Sequence, residues 1–140
     1  MATIDEPGRT AYDLLGGDAA LRALVDRFYQ LMDAEPGYAL IRKLHPASLD
    51  GSNDKLYRFL SGWMGGPSLY VEKYGAPMLR ARHLPYPIGS PERDQWLSCM
   101  DRAMAECALP PELAEALRDA FFRTADWMRN KPGDLPDMPR

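Results

Sequence analysis

Side chains able to hold a metal or attack a substrate are scarce in this sequence, which has two cysteines and two histidines in 140 residues. It has no HExxH, CxxC or phosphate-loop pattern, which argues against a dedicated zinc site, a thiol redox centre or a nucleotide site. No serine sits in a convincing setting for a hydrolytic triad. Cys99 and Cys107 share one helical stretch, and at about 1.5 Å rise per residue their Cα atoms are roughly 12 Å apart, too far for a disulfide. They read as small core residues of a reduced protein.

β-branched residues are also few. Val25, Val71, Ile4, Ile41, Ile88, Thr3, Thr10 and Thr124 are the whole set, too scattered to furnish the strands of a sheet, so the expected fold is all-α. The net charge of −3 lacks the basic excess of a nucleic-acid binder, and nucleic acid is not expected as a partner. No apolar run approaches the roughly 20 residues that span a bilayer. The N-terminal MATIDEPGRT has neither the basic start nor the apolar block of a signal peptide. The expectation is a cytoplasmic protein with no membrane partner.

What is present is an ordinary globular composition, 46% hydrophobic and 26% charged, in a length suited to one domain over residues 1–140. Asp18 reads as the N-cap of a helix in which Leu21, Leu24, Val25, Phe28 and Met32 recur at helical spacing until Glu35-Pro36-Gly37. A second helix over 52–64 places Leu56, Phe59, Leu60 and Trp63 on one face before Gly65-Gly66-Pro67 stops it. Ser90 and Pro91 supply an N-cap and a first-turn proline for a helix carrying Trp96, Cys99, Met100, Ala103 and Cys107. Pro110-Pro111 ends it and starts another over 112–130, with Leu113, Ala116, Leu117, Ala120, Phe121 and Met128 on its inner face. KPGDLPDMPR, residues 131–140, reads as a frayed tail.

Between these helices lies PSLYVEKYGAPMLRARHLPYPIG, residues 67–89, whose four prolines and two glycines admit only short helical pieces. His83 sits inside it. One metal arrangement needs a single protein ligand: haem, in which the porphyrin supplies four nitrogens and the chain adds a histidine. Taken by itself, His83 also reads as a hydrogen-bonded core or surface histidine.

From about Tyr12 to about Met128, the order of a short first helix, Gly16-Gly17, VDRFYQLM, KLHP, LYRFLSGWMGGPSLYVEKYG, MLRARHLPYPI and ERDQWLSCM resembles the truncated haemoglobins, and within these two-over-two globins the second group. The resemblance implies a helical sandwich around haem b, with two glycine pairs making sharp turns in a shortened globin. It implies that His83 is the proximal iron ligand, and that Tyr29 and Trp96 face the bound ligand; each also reads as a packed core aromatic. Phe28, Ser52, Leu56 and Phe59 match residues lining the haem pocket, with Ser52 where other globins carry a distal histidine. Lys55, Arg80 and Arg82 match basic residues placed to meet the haem propionates, though each also reads as solvated surface. His45 departs from the pattern, standing where most relatives have a haem-packing phenylalanine or tyrosine. Its ring can stack alone or add a nitrogen that bonds to Tyr29 or to the ligand.

The function implied is reversible binding of oxygen or another small diatomic ligand, for transport, storage or sensing. The alternative is a haem enzyme that oxidises nitric oxide or activates peroxide. Nothing in the sequence resembles a flavin or nicotinamide domain, so turnover would need a separate reductase. A haem-free four-helix interaction module fits the periodicity but leaves the motifs unexplained.

Overall fold

The computed structural model describes residues 9–131, and the regular elements among them are all helical. They are α1 (Ala11–Leu15), α2 (Asp18–Ala34), a 3-10 turn (Pro36–Tyr38), α3 (Ala39–Lys43), α4 (Asp50–Trp63), α5 (Leu69–Tyr74), α6 (Leu79–His83), α7 (Ser90–Glu106) and α8 (Pro111–Trp127). Helix α2 packs against both α4 and α7, and α8 packs against α7, so two helix pairs lie one over the other. The core between them joins Leu21, Leu24 and Phe28 of α2, Leu60 of α4, Cys99, Met100 and Ala103 of α7, and Leu117 and Phe121 of α8. No helix among the described residues is long and apolar enough to cross a membrane. Of the expected tail, Lys131 is paired with Glu92; residues 132–140 lie outside the described part, as do 1–8.

The expected helices form, with shifted ends. Asp18 is the first residue of α2 rather than its cap, which is Gly17; its carboxylate accepts a hydrogen bond from the Tyr57 hydroxyl on α4 instead. Ser90 and Pro91 both lie inside α7. Its cap is Gly89, whose N–H donates to Glu92 Oε1 at 2.8 Å. Helix α8 stops at Trp127, short of Asn130, because the Asn130 N–H donates to Ile88 O at 2.8 Å rather than continuing the helix. Helix α3 was not foreseen; its five residues are too few to display a period.

Helix α4 departs in a way that matters for function. It starts at Asp50, and its buried side chains are Tyr57, Leu60 and Ser61. Of the expected stripe only Leu60 is buried, while Leu56, Phe59 and Trp63 are half-buried. The apolar arc of α4 is thus wider than the core requires. Phe59 turns toward α5 and meets Tyr70 edge to face at 6.2 Å, while Trp63 stacks on Phe121 of α8 at 5.0 Å. Asp54 fastens the two helices, accepting from Tyr74 Oη at 2.7 Å, Lys73 Nζ at 3.0 Å and Arg58 Nε at 2.9 Å. Those bonds, led by the Tyr74 hydroxyl, hold its carboxyl at about 2.

Candidate functional site

The proline-broken stretch folds as expected into two short helices, α5 and α6, and no side chain from 71 to 87 is buried. Val71, Met78, Leu84 and Tyr86 stand exposed on it. Met78, which precedes α6, has φ 44 in the left-handed region, a conformation that costs a residue with a Cβ on the order of 1 kcal/mol. At the end of α6, the His83 Nδ1 lies 2.6 Å from Leu79 O. A carbonyl can only accept, so Nδ1 carries a proton, and of the two neutral tautomers the bond selects the one whose lone pair is on Nε2, the form in which imidazole binds a metal.

His45, just past α3, makes the same local bond, with Nδ1 at 2.7 Å from Ile41 O. It is half-buried, and its pKa is lowered by burial against the opposing effect of that backbone bond, with Arg42 and His83 adding to the depression. Its ring stands edge-on to Tyr29, with centroids 5.9 Å apart. Tyr29 is buried on α2, and its hydroxyl donates to Ser52 O at 3.2 Å. Burial raises its pKa, so the phenol stays protonated and remains a donor. Phe28 touches Tyr29 at 4.9 Å and Trp96 of α7 at 5.1 Å. Tyr29, His45, Phe28 and Trp96 therefore form one aromatic cluster against the first turn of α4. Ser52 joins it through its backbone carbonyl, a contribution that residue identity does not encode. Behind Phe28, Cys99 Sγ–H donates to Phe28 O at 3.2 Å, and burial pushes this thiol up to about 12, in keeping with a core role.

Leu56 and Phe59, half-buried on α4, pack against the core, and Phe59 meets Trp63 at 6.4 Å and Tyr70 at 6.2 Å. The basic residues divide. Lys55 is exposed, with Nζ 5.8 Å from the Tyr74 ring centre, and Arg82 is exposed over Tyr70 at 5.8 Å. Arg80 turns the other way, and its Nη1 donates to the carbonyls of Trp127 and Arg129 at the end of α8. It belongs first to the joint between α6 and α8. Sequence reasoning missed Asn130, whose side chain bonds the backbone at His83, Tyr86 and Ile88. Read as the last residue of a helix and followed by Lys-Pro-Gly, Asn130 marks a chain exit, and no local pattern distinguishes a strap from a tail.

A ring nitrogen open to a metal, a long segment with exposed apolar side chains, an aromatic cluster and two exposed cations fit a planar apolar group with an iron at its centre and carboxylates at one edge. These are the chemical features of haem. Among the described residues no group of three or more histidine, cysteine or acidic side chains is placed to hold another metal.

The family model described as bacterial-like globin matches residues 10–130. The chain belongs to the bacterial-like globin family. This globin is 42% identical over 115 residues to the group 2 truncated hemoglobin YjbI of Bacillus subtilis, covering 82% of this chain and 85% of that one. Its structure is similar to the group II 2-on-2 hemoglobin of Agrobacterium tumefaciens, with TM-score 0.86 and 48% identity over 91% of this chain and 99% of that one. It is also similar to the cold-adapted truncated hemoglobin of Pseudoalteromonas haloplanktis TAC125, with TM-score 0.85 and 40% identity over 88% and 99% of the two chains. The globin is thus a two-over-two helical sandwich whose cofactor is haem, and its chemistry is haem-based ligand binding.

Proposed function

We propose that this globin binds oxygen, and other small diatomic ligands, reversibly at an iron held by His83, for storage, delivery or sensing in the cytoplasm. The observation that carries the reading is the ring state of His83, whose Nδ1–H is committed to Leu79 O at 2.6 Å and whose Nε2 lone pair is left to bind. When bound, haem supplies the iron to which the diatomic ligand attaches. The Leu79 bond fixes the tautomer of His83 and raises its basicity as a ligand. Tyr29 and Trp96 would be the donors that hold the ligand. The Tyr29 bond to Ser52 O, at 3.2 Å, is long for a hydroxyl donor, so the hydroxyl can turn to a ligand at little cost. An indole N–H can only donate. Phe28, Leu56 and Phe59 exclude water, which strengthens both bonds. Lys55 and Arg82 meet the propionates, with Arg80 contributing only the N–H groups that α8 leaves it.

Two experiments test the reading. His83→Ala should lose stable haem or leave a site that added imidazole fills; wild-type haem retention and spectra without imidazole would overturn the ligation. Stopped-flow oxygen release should quicken by about tenfold in Tyr29→Phe and in Trp96→Phe, the worth of one net hydrogen bond each. Because both donors meet one ligand, the double variant should show coupling rather than additivity. Carbon monoxide, less polar when bound, should respond less. Unchanged oxygen release in both single variants would place ligand stabilisation elsewhere, and nitric oxide consumption that depends on an added reductant would replace storage with turnover.

A further inference from the structure

We propose that Asn130 is a positioning residue for His83: its side-chain amide clamps the backbone on both sides of the turn that follows the histidine, and so fixes where the imidazole is held. The inference rests on His83 being the iron ligand. Asn130 Nδ2 donates to His83 O at 3.1 Å and to Tyr86 O at 2.8 Å, while its Oδ1 accepts from the Ile88 N–H at 2.9 Å. Two carbonyls on one side and an N–H on the other leave one orientation for the amide. Its backbone N–H completes the clamp on Ile88 O at 2.8 Å.

Asp54 holds α5 to α4, but beyond α5 the stretch is tied to the body mainly by hydrogen bonds. No side chain from 71 to 87 is buried, so hydrogen bonds to the end of α8 replace the packing that fixes an ordinary helix. The strap is itself secured. Lys131 Nζ meets Glu92 Oε2 at 2.8 Å, and Arg93 and Arg129 both bond Asp126 Oδ1 at 2.7 Å. In return, Arg80 of α6 donates to the carbonyls of Trp127, the last residue of α8, and of Arg129 just past it. His83 is thus bracketed, its ring by Leu79 O and its carbonyl by Asn130, and a shift at either end turns the imidazole.

The test uses the haem-loaded protein. In Asn130→Ala, the iron–histidine stretching frequency of the ferrous, ligand-free form should move, haem transfer to an acceptor globin should quicken by about tenfold, and the Ile88 amide should exchange faster. Asn130→Asp keeps the acceptor for Ile88 but turns a carboxylate on two carbonyls, so it should shift the frequency and release haem at least as much while disturbing the Ile88 amide less. Lys131→Ala, which removes the neighbouring ion pair and leaves the amide in place, should keep the wild-type frequency even if it unfolds at a lower temperature. A wild-type frequency in both Asn130 variants, whatever their stability, would overturn the positioning role. A frequency that survives His83→Ala would instead overturn the ligation beneath it.

Discussion

His45 and His83 make the same bond to the carbonyl four residues back, yet the two rings sit in different company. Both rings are half-buried, but His83 ends a helix with no buried residue, whereas His45 stands beside Tyr29 and its pKa is lowered, chiefly by burial. At neutral pH the His45 Nε2 is therefore an acceptor, able to orient the Tyr29 hydroxyl but unable to donate to a ligand. Protonation reverses that. As pH falls from the ordinary value of 6.5 toward the lower folded value, the unfolded chain takes up the proton more readily, so His45 costs stability in that window and contributes none of that cost above it. Once protonated, the ring gains an N–H that can hold oxygen. Oxygen release should therefore slow as the pH drops below 6.5, and His45→Phe should flatten the profile while keeping haem. The same profile in both proteins would leave His45 as packing. The position of the ring was legible in KLHP, but its donor or acceptor character was not, because a backbone carbonyl decides it.

Helix spacing made α2, α4, α7 and α8 readable, and glycine and proline marked their ends to within a few residues. The sequence could not say which part of the α4 apolar arc enters the core, since Leu56 and Phe59 are as hydrophobic as Leu60 and only tertiary packing separates them. The two glycine pairs show a similar limit. Gly16, Gly17 and Gly65 have φ of 120°, 82° and 92°, which accounts for the turns. Gly66 answers to something else, because a Cβ there would lie 2.5 Å from the Tyr12 ring of α1, whose N–H donates to Met64 O at 3.0 Å. Gly66→Ala must therefore displace the Tyr12 ring, at about 1–3 kcal/mol as for other overpacked sites. Gly17→Ala has nothing within 4 Å and bears only the backbone strain, about 1–3 kcal/mol. In thermal unfolding Gly66→Ala should also loosen α1, seen as faster exchange of the Tyr12 amide, whereas Gly17→Ala should leave that amide protected. Equal protection in the two variants would mean that close approach to α1 is unimportant.

Across the whole molecule the buried side chains divide unevenly. Helices α2, α7 and α8 hold most of the core without help from residues 71–87, which carry His83 and bury none of their own side chains. Such an arrangement has two levels of stability, and a ligand that binds the folded state raises the weaker level most. Before haem is added, amides from 75 to 87 should exchange much faster than those at the centre of α2 and α7. At a haem concentration about a thousandfold above its dissociation constant the gain approaches 4 kcal/mol, or on the order of 10 °C in unfolding temperature for a chain of this size. Protection should then rise chiefly over 75–87 and around Tyr29 and Ser52. His83→Ala should keep the protection of α2 and α7 yet lose most of the gain over 75–87, because that ring is the segment's one bond to the iron and an exposed ion pair from Arg82 adds little. If haem protected all helices alike, or protected 75–87 equally well without His83, the segment would be part of the core's own folding unit and the histidine would not be its anchor.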